Sequence, residues 1–148
     1  MNKLRNFIKG TDFSISNNGN SAYSIIHDPS GAYVTIINYP TRVSISNGST
    51  PNKARGKGIG TNLRALATLH AILTNKRIIQ TGSNREGRSA RRKAVNPNAT
   101  LDPTSTWILR QRLGWRAVNK TISNFNPTNN KTKVKKWLIN RKFKSVPF

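Results

Sequence analysis

Residues 61–75, TNLRALATLHAILTN, are apolar around most of a helical circumference. Leu63, Leu66, Leu69, Ile72 and Leu73 recur at helical spacing, leaving Arg64, Thr68, Ala71 and Asn75 on one stripe. A helix so apolar must pack on a sheet, and its flanks supply strands. Ahead of it, Val43 and Ile45 fall on one face of a strand over 42–46 that ends at Asn47-Gly48. Behind it, Lys76 and Arg77 suit the helix C-terminus, and Arg77-Ile78-Ile79-Gln80-Thr81 reads as a buried parallel strand. The predicted unit is β-loop-α-β.

The loop inside that unit is Arg55-Gly56-Lys57-Gly58-Ile59-Gly60. Glycines at 56, 58 and 60 let backbone amides approach an anion, and the helix start behind them adds a favourable dipole. Arg55, Gly58 and Gly60 spell Arg-x-x-Gly-x-Gly. With Thr61-Asn62-Leu63 behind it, the segment resembles the acetyl-CoA pyrophosphate loop of the GNAT-type N-acetyltransferases. A second piece, Trp107-Ile108-Leu109-Arg110-Gln111-Arg112-Leu113-Gly114-Trp115, is similar to that family's late helix ending in Leu-Gly-Phe.

The resemblance covers roughly residues 22–122. It implies a mixed sheet splayed between its fourth and fifth strands, here 42–46 and 77–81, with acetyl-CoA in the splay. The amides of Gly56, Lys57, Gly58, Ile59, Gly60 and Thr61 would then hold the pyrophosphate, with Arg55 near the phosphates. The plainer alternative is a glycine turn that only lets helix and strand pack closely.

The remaining chain fills in around this unit. Ala22–His27 and 32–39 favour strands, and Asp28-Pro29-Ser30-Gly31 between them makes a hairpin turn. Residues 1–20 are polar and read as a flexible N-terminal arm with one short strand near 13–15. Residues 82–100 form a long basic loop. Asp102-Pro103 starts a helix that Gly114 stops, and 115–122 reads as a final strand. After a polar linker at 124–130, Val134, Trp137 and Leu138 stand at helical spacing among lysines. The expected organisation is an arm (1–20), a GNAT-like domain with the basic loop 82–100 (21–123) and a basic tail with a short helix (124–148). The fold class is mixed α/β: a central mixed sheet with antiparallel hairpins, the β-loop-α-β unit and the helical tail.

Charge bears on partners. Among 148 residues, 26 Lys and Arg face 4 Asp and Glu, a net charge of +22. Such an imbalance repels itself unless an acidic partner neutralises it, and nucleic acid, bound through phosphates without sequence choice, fits best. The candidate contacts are Arg85, Arg88, Arg91, Arg92 and Lys93 in the loop, and Lys133, Lys135, Lys136, Arg141 and Lys142 in the tail. Nearby aromatics could stack on bases, although Trp107 and Trp115 read as core and Trp137 as part of a basic helix that could equally dock on this domain, on a partner protein or on a membrane surface. No window approaches the roughly 20 apolar residues of a membrane span, and residues 1–9 lack a secretory apolar run. The expected location is the cytoplasm or a nucleoprotein or virus particle. Without cysteine, and with only His27 and His70, no metal site is expected.

Acyl transfer to an amine needs a base for the ammonium proton. The resemblance puts a tyrosine acid four residues before the late glycine, where this chain has Arg110. Asp28 reads as a turn residue, Asp102 as a helix cap and Glu86 as a partner for arginines, and neither histidine stands out as a base, so the catalytic residues are unassigned. Two functions follow from these residues. One is an acyl-CoA-binding, acetyltransferase-like domain acting near nucleic acid. The other is a non-catalytic protein of the same fold that binds nucleic acid or builds a larger nucleoprotein assembly.

Overall fold

The computed structural model describes residues 1–81, 112–117, 122–126, 131–143 and 146–148. Among these, the elements in order are α1 (Asn2–Ile8), β1 (Phe13–Gly19), β2 (Ala22–His27), β3 (Ala32–Asn38), β4 (Arg42–Ser49), a 3-10 turn (Asn52–Ala54), α2 (Ile59–Leu73), β5 (Arg77–Thr81), β6 (Arg116–Ala117), β7 (Ile122–Phe125) and α3 (Thr132–Asn140). The strands make one sheet in the order β1-β2-β3-β4-β5-β7-β6. Strands β1 to β4 meander antiparallel, and β5 joins β4 in parallel. Antiparallel pairing resumes with β7 and β6. Only β4 and β5 run parallel because α2 carries the chain back between them. This is the mixed α/β arrangement, with a β-loop-α-β unit inside a mixed sheet, expected from the sequence.

Alternation accounts for the strands. In β3, Ala32, Val34 and Ile36 are buried, while Tyr33 and Thr35 between them are half-buried. Val43 and Ile45 of β4 and Ile78 of β5 face the same core. Helix α2 packs against β2, β3, β4 and β5 on one side, and α1 and α3 also touch it. Its polar stripe is therefore covered as well, and Arg64, Thr68 and Ala71 are all buried. Buried polar groups need partners. The indole Nε1 of Trp115 donates to Thr68 Oγ1 (3.0 Å), and that hydroxyl donates to the carbonyl of Arg64 (2.7 Å). Trp115 is core, as its sequence context predicts.

Three expectations need correction. Residues 1–20 are not a loose arm: they form α1 and β1. Leu4, Phe7 and Ile8, at spacings of three and four, are all buried. A helix of 7 residues is too short to show a full period and draws its stability from docking, here against α2. The Ser- and Asn-rich β1 is held by its ladder to β2 and by Phe13 and Ile15, which pack against the core. The final strand read over 115–122 is two strands, β6 and β7, and Phe125, placed in the linker, is buried. The tail helix exists as expected and, of the placements left open for it, takes docking on this domain. Val134 and Leu138 are buried in the core, and the Phe143 ring lies 5.8 Å from Phe7 and 5.6 Å from Phe13. The basic loop 82–100, Trp107 and the helix predicted from Asp102 lie outside the described residues.

At the C-terminal end of α2, His70 is buried, its Nε2 3.4 Å from Asn38 Oδ1, which also accepts from Lys76 Nζ (2.8 Å). Burial, helped by the charges of the Met1 amine and Lys76, lowers the His70 pKa from 6.5 to about 4. The neutral ring is the folded form.

Two outcomes follow from this packing. Leu4→Ala should lower unfolding free energy by about 2–5 kcal/mol in urea titrations, whereas a loose arm would leave it unchanged. For His70 the unfolded chain takes up the proton first. The stability from the neutral ring is complete above pH 6.5 and is lost as pH falls toward about 4, with a slope of up to about 1.4 kcal/mol per pH unit. Carboxylates are too few to mask that slope, and His70→Gln should flatten it in denaturation series between pH 7 and 4.

Candidate functional site

The glycine turn joins the carboxyl end of β4 to α2. Gly56 (φ 79°) and Gly58 (φ 78°) both adopt left-handed backbone, which glycine enters without the usual Cβ cost. Gly58 is the N-cap, and no side chain caps the helix. Intrahelical bonding begins with Asn62 N–H donating to the Gly58 carbonyl (2.9 Å), so the amides of Ile59, Gly60 and Thr61 belong to the first turn, where helices lack internal acceptors. A Cβ on Gly56 would meet nothing within 4 Å, leaving that side of the turn open. The Thr61 side chain is buried, so only its amide suits an anion. Arg55 donates from Nε to the Thr50 carbonyl (3.2 Å), and Lys57 is exposed.

The sheet changes character beside the turn. Among the described residues, strand β4 pairs with β5 from Arg42↔Arg77 to Ile45↔Gln80, while its second half continues along β3. Thr35 faces Asn47 and Ile36 faces Ile45, so Ser46 is an extra residue, a bulge that bends β4 where its contact with β5 ends. Arg64 reaches into this region from α2, donating to Gln80 Oε1 (3.1 Å) and to the Gly60 carbonyl (3.3 Å). Its Nη2 lies 3.6 Å from where a Cβ on Gly48 would stand. A nearly buried guanidinium thus sits beside the second half of β4 and bonds across to β5.

Sequence reasoning missed this role for Arg64. Its position on a polar stripe was visible, but which strands that stripe would meet was not. The tail was missed in the same way. Trp137 of α3 donates from Nε1 to Asn62 Oδ1 (2.9 Å), and the guanidiniums of Arg112 (5.3 Å) and Arg141 (4.4 Å) both lie over its ring. An added Cβ on Gly58 would stand 3.4 Å from Arg141 Nη2 and 3.7 Å from Trp137. The tail therefore lies over the turn.

The candidate phosphate contacts divide. Lys133, Lys135, Lys136, Arg141 and Lys142 are exposed on or just beyond α3, with Lys135 Nζ donating to the Phe148 carbonyl (2.8 Å). Arg85, Arg88, Arg91, Arg92 and Lys93 lie outside the described residues. Base stacking on Trp137 or Phe143 is not favoured, since two guanidiniums already lie on the indole and Phe143 packs with Phe7 and Phe13.

No described acid or imidazole is assigned to the gap between β4 and β5. His27 Nδ1 bonds Ser30 Oγ (2.7 Å) in the β2–β3 turn, and Asp28 accepts from Ser14 Oγ (2.7 Å). Asp12 precedes β1, and His70 lies at the far end of α2. Among the described residues there is no group of three or more His, Cys, Asp or Glu suited to a metal ion, and no helix is long and apolar enough to cross a membrane.

No protein-family description and no curated protein matches this chain. Among solved structures, the chain is similar to a putative acetyltransferase from the GNAT family from Bacteroides thetaiotaomicron, at 14% identity and a TM-score of 0.44, over 96% of this chain and 77% of that one.

Proposed function

We propose that this chain is a GNAT-type domain that binds an acyl-CoA, with the cofactor pyrophosphate on the glycine turn and its pantetheine arm entering where β4 leaves β5. The observation that carries the reading is one juxtaposition. A turn with two left-handed glycines and an uncapped helix start lies at the carboxyl end of the sheet's parallel pair, beside the point where that pair parts. Crevices at such ends and changes of direction are where open α/β sheets take ligands. The residues fit the group: Gly56 leaves the turn open, and the amides from Gly56 to Thr61 with the helix dipole offset pyrophosphate charge. When bound, the cofactor supplies an acyl group activated as a thioester. The chain would supply the β5-side edge of the second half of β4 for the arm and, in Arg64, a fixed positive charge beside it.

A second reading is favoured by the placement of the acid–base groups. With His27, His70, Asp12 and Asp28 all engaged or located elsewhere, the same fold would serve as a non-catalytic nucleic-acid-binding protein or part of a nucleoprotein assembly, with the cationic face of α3 on phosphates.

Calorimetry separates the two. CoA should bind, and pantetheine, which lacks the pyrophosphate, should bind at least about tenfold more weakly. Gly58→Ala, which forces a side chain into left-handed backbone, should cost about 1–2 kcal/mol of stability and weaken CoA binding. Neither heat nor thermal stabilisation at millimolar CoA would remove the cofactor. If α3 and the loop contact six or more phosphates, affinity for mixed-sequence DNA or RNA should fall about a thousandfold between 50 and 200 mM salt. A flat salt dependence would remove the second reading.

A further inference from the structure

The glycine turn does not stand alone: the tail places a guanidinium over it. Three observations fix that group. Val134 and Leu138 anchor α3 in the core, so the residues on its inner edge have a defined position. Trp137 is oriented by its bond to Asn62 in the first turns of α2. Arg141 stacks on that indole at 4.4 Å, and its Nη2 comes within 3.4 Å of the Cβ position on Gly58. Stacking covers one face of the guanidinium and leaves its N–H edge free to donate in the ring plane.

The electrostatics of this arrangement call for an anion. Arg141 stands beside Gly58, the N-cap of α2, so its charge adds to the positive end of the helix dipole, and Arg112 brings a second guanidinium to the Trp137 ring. The two described carboxylates, Asp12 and Asp28, lie before β1 and in the β2–β3 turn, with Asp28 bonded to Ser14. Cations held at the positive end of a helix favour an anion beside them.

We propose that Arg141 is a phosphate-binding residue of the glycine turn, contributed by the tail and held in place by Trp137, so that the site is complete only when α3 is docked. This rests on reading the turn as an anion site, and it goes beyond the motif resemblance, which covers roughly residues 22–122. The ligand chemistry is a diphosphate, and within the acyl-CoA reading its source is the cofactor pyrophosphate.

The test follows backbone amide resonances of Gly58 and Gly60 in the full chain, titrated separately with inorganic pyrophosphate and with CoA, for the native sequence and for Arg141→Gln. Arg141 is exposed, so the variant should fold, and an unchanged melting temperature checks this. The expected result is that pyrophosphate shifts those amides and that Arg141→Gln weakens binding about tenfold or more, the usual effect of losing a charge-assisted contact. If pyrophosphate binds the variant equally well or more tightly, Arg141 is a plug or a bystander and the assignment is overturned. If pyrophosphate binds in an Arg141-dependent way but CoA does not, the acyl-CoA reading falls and Arg141 stands. If neither ligand shifts the amides, both fall.

Discussion

A 15-residue helix from which Leu63, Leu66, Leu69, Thr68 and even Arg64 are excluded from water can exist only inside other structure. Four strands cover one side of α2, while α1 and α3 lie on others. Each covering element is held by contacts that no local propensity supplies. The indole of Trp115 reaches Thr68 across 47 residues, and that of Trp137 reaches Asn62 across 75. Because hydrophobic burial scales with apolar area removed from water, this enclosure is the main stabilising contribution to the fold. The turn at the helix start inherits its rigidity from it.

That dependence explains what could be read from the sequence. The strands Ala22–His27 and Arg77–Thr81, the hairpin turn between β2 and β3 and the helix after the glycines all carry their signal within about ten residues: alternation, turn chemistry or a helical period. Each appeared where expected. What failed depended on distant partners. Leu4, Phe7 and Ile8 have helical spacing, but a single turn of it among polar residues differs little from chance until α2 is there to receive it. Phe125 looked like linker because its burial depends on β7 pairing with β5. The glycine turn from Arg55 to Thr61 could be read because its chemistry is local. The contacts of Arg64 with Gln80 and of Arg141 with Gly58 could not, because each joins residues far apart in the chain.

The scarcity of acids shapes the surface in another way. With 26 bases against 4 acids, most cations cannot find a carboxylate, and several rest on aromatic faces instead. Arg5 lies over Tyr23, Arg42 over Tyr39, Lys131 over Phe148, and Arg112 and Arg141 both over Trp137. Such contacts are worth about 0.5–1 kcal/mol each when exposed, and they orient a cation without neutralising it. The positive field therefore survives folding. A protein organised this way attracts anions over its whole surface, and specific sites differ from that background only by geometry.

Geometry is what distinguishes the glycine turn from the exposed lysines of α3. Lys133 and Lys136 offer mobile point charges in high dielectric, where salt screens them strongly. The turn combines amides fixed by left-handed glycines, a helix dipole and a guanidinium held flat against an indole that is itself bonded to the helix it serves. Fixed donors lose little entropy when an anion arrives, whereas flexible ones must be ordered at that moment. The cations of the tail thus differ in how firmly they are held: Arg141, just beyond α3, rests on Trp137 beside Gly58, while Lys133 and Lys136 stand exposed. Since Val134 and Leu138 anchor α3 in the core, whatever loosens the helix displaces Arg141 from the turn, whereas the exposed lysines keep their charge.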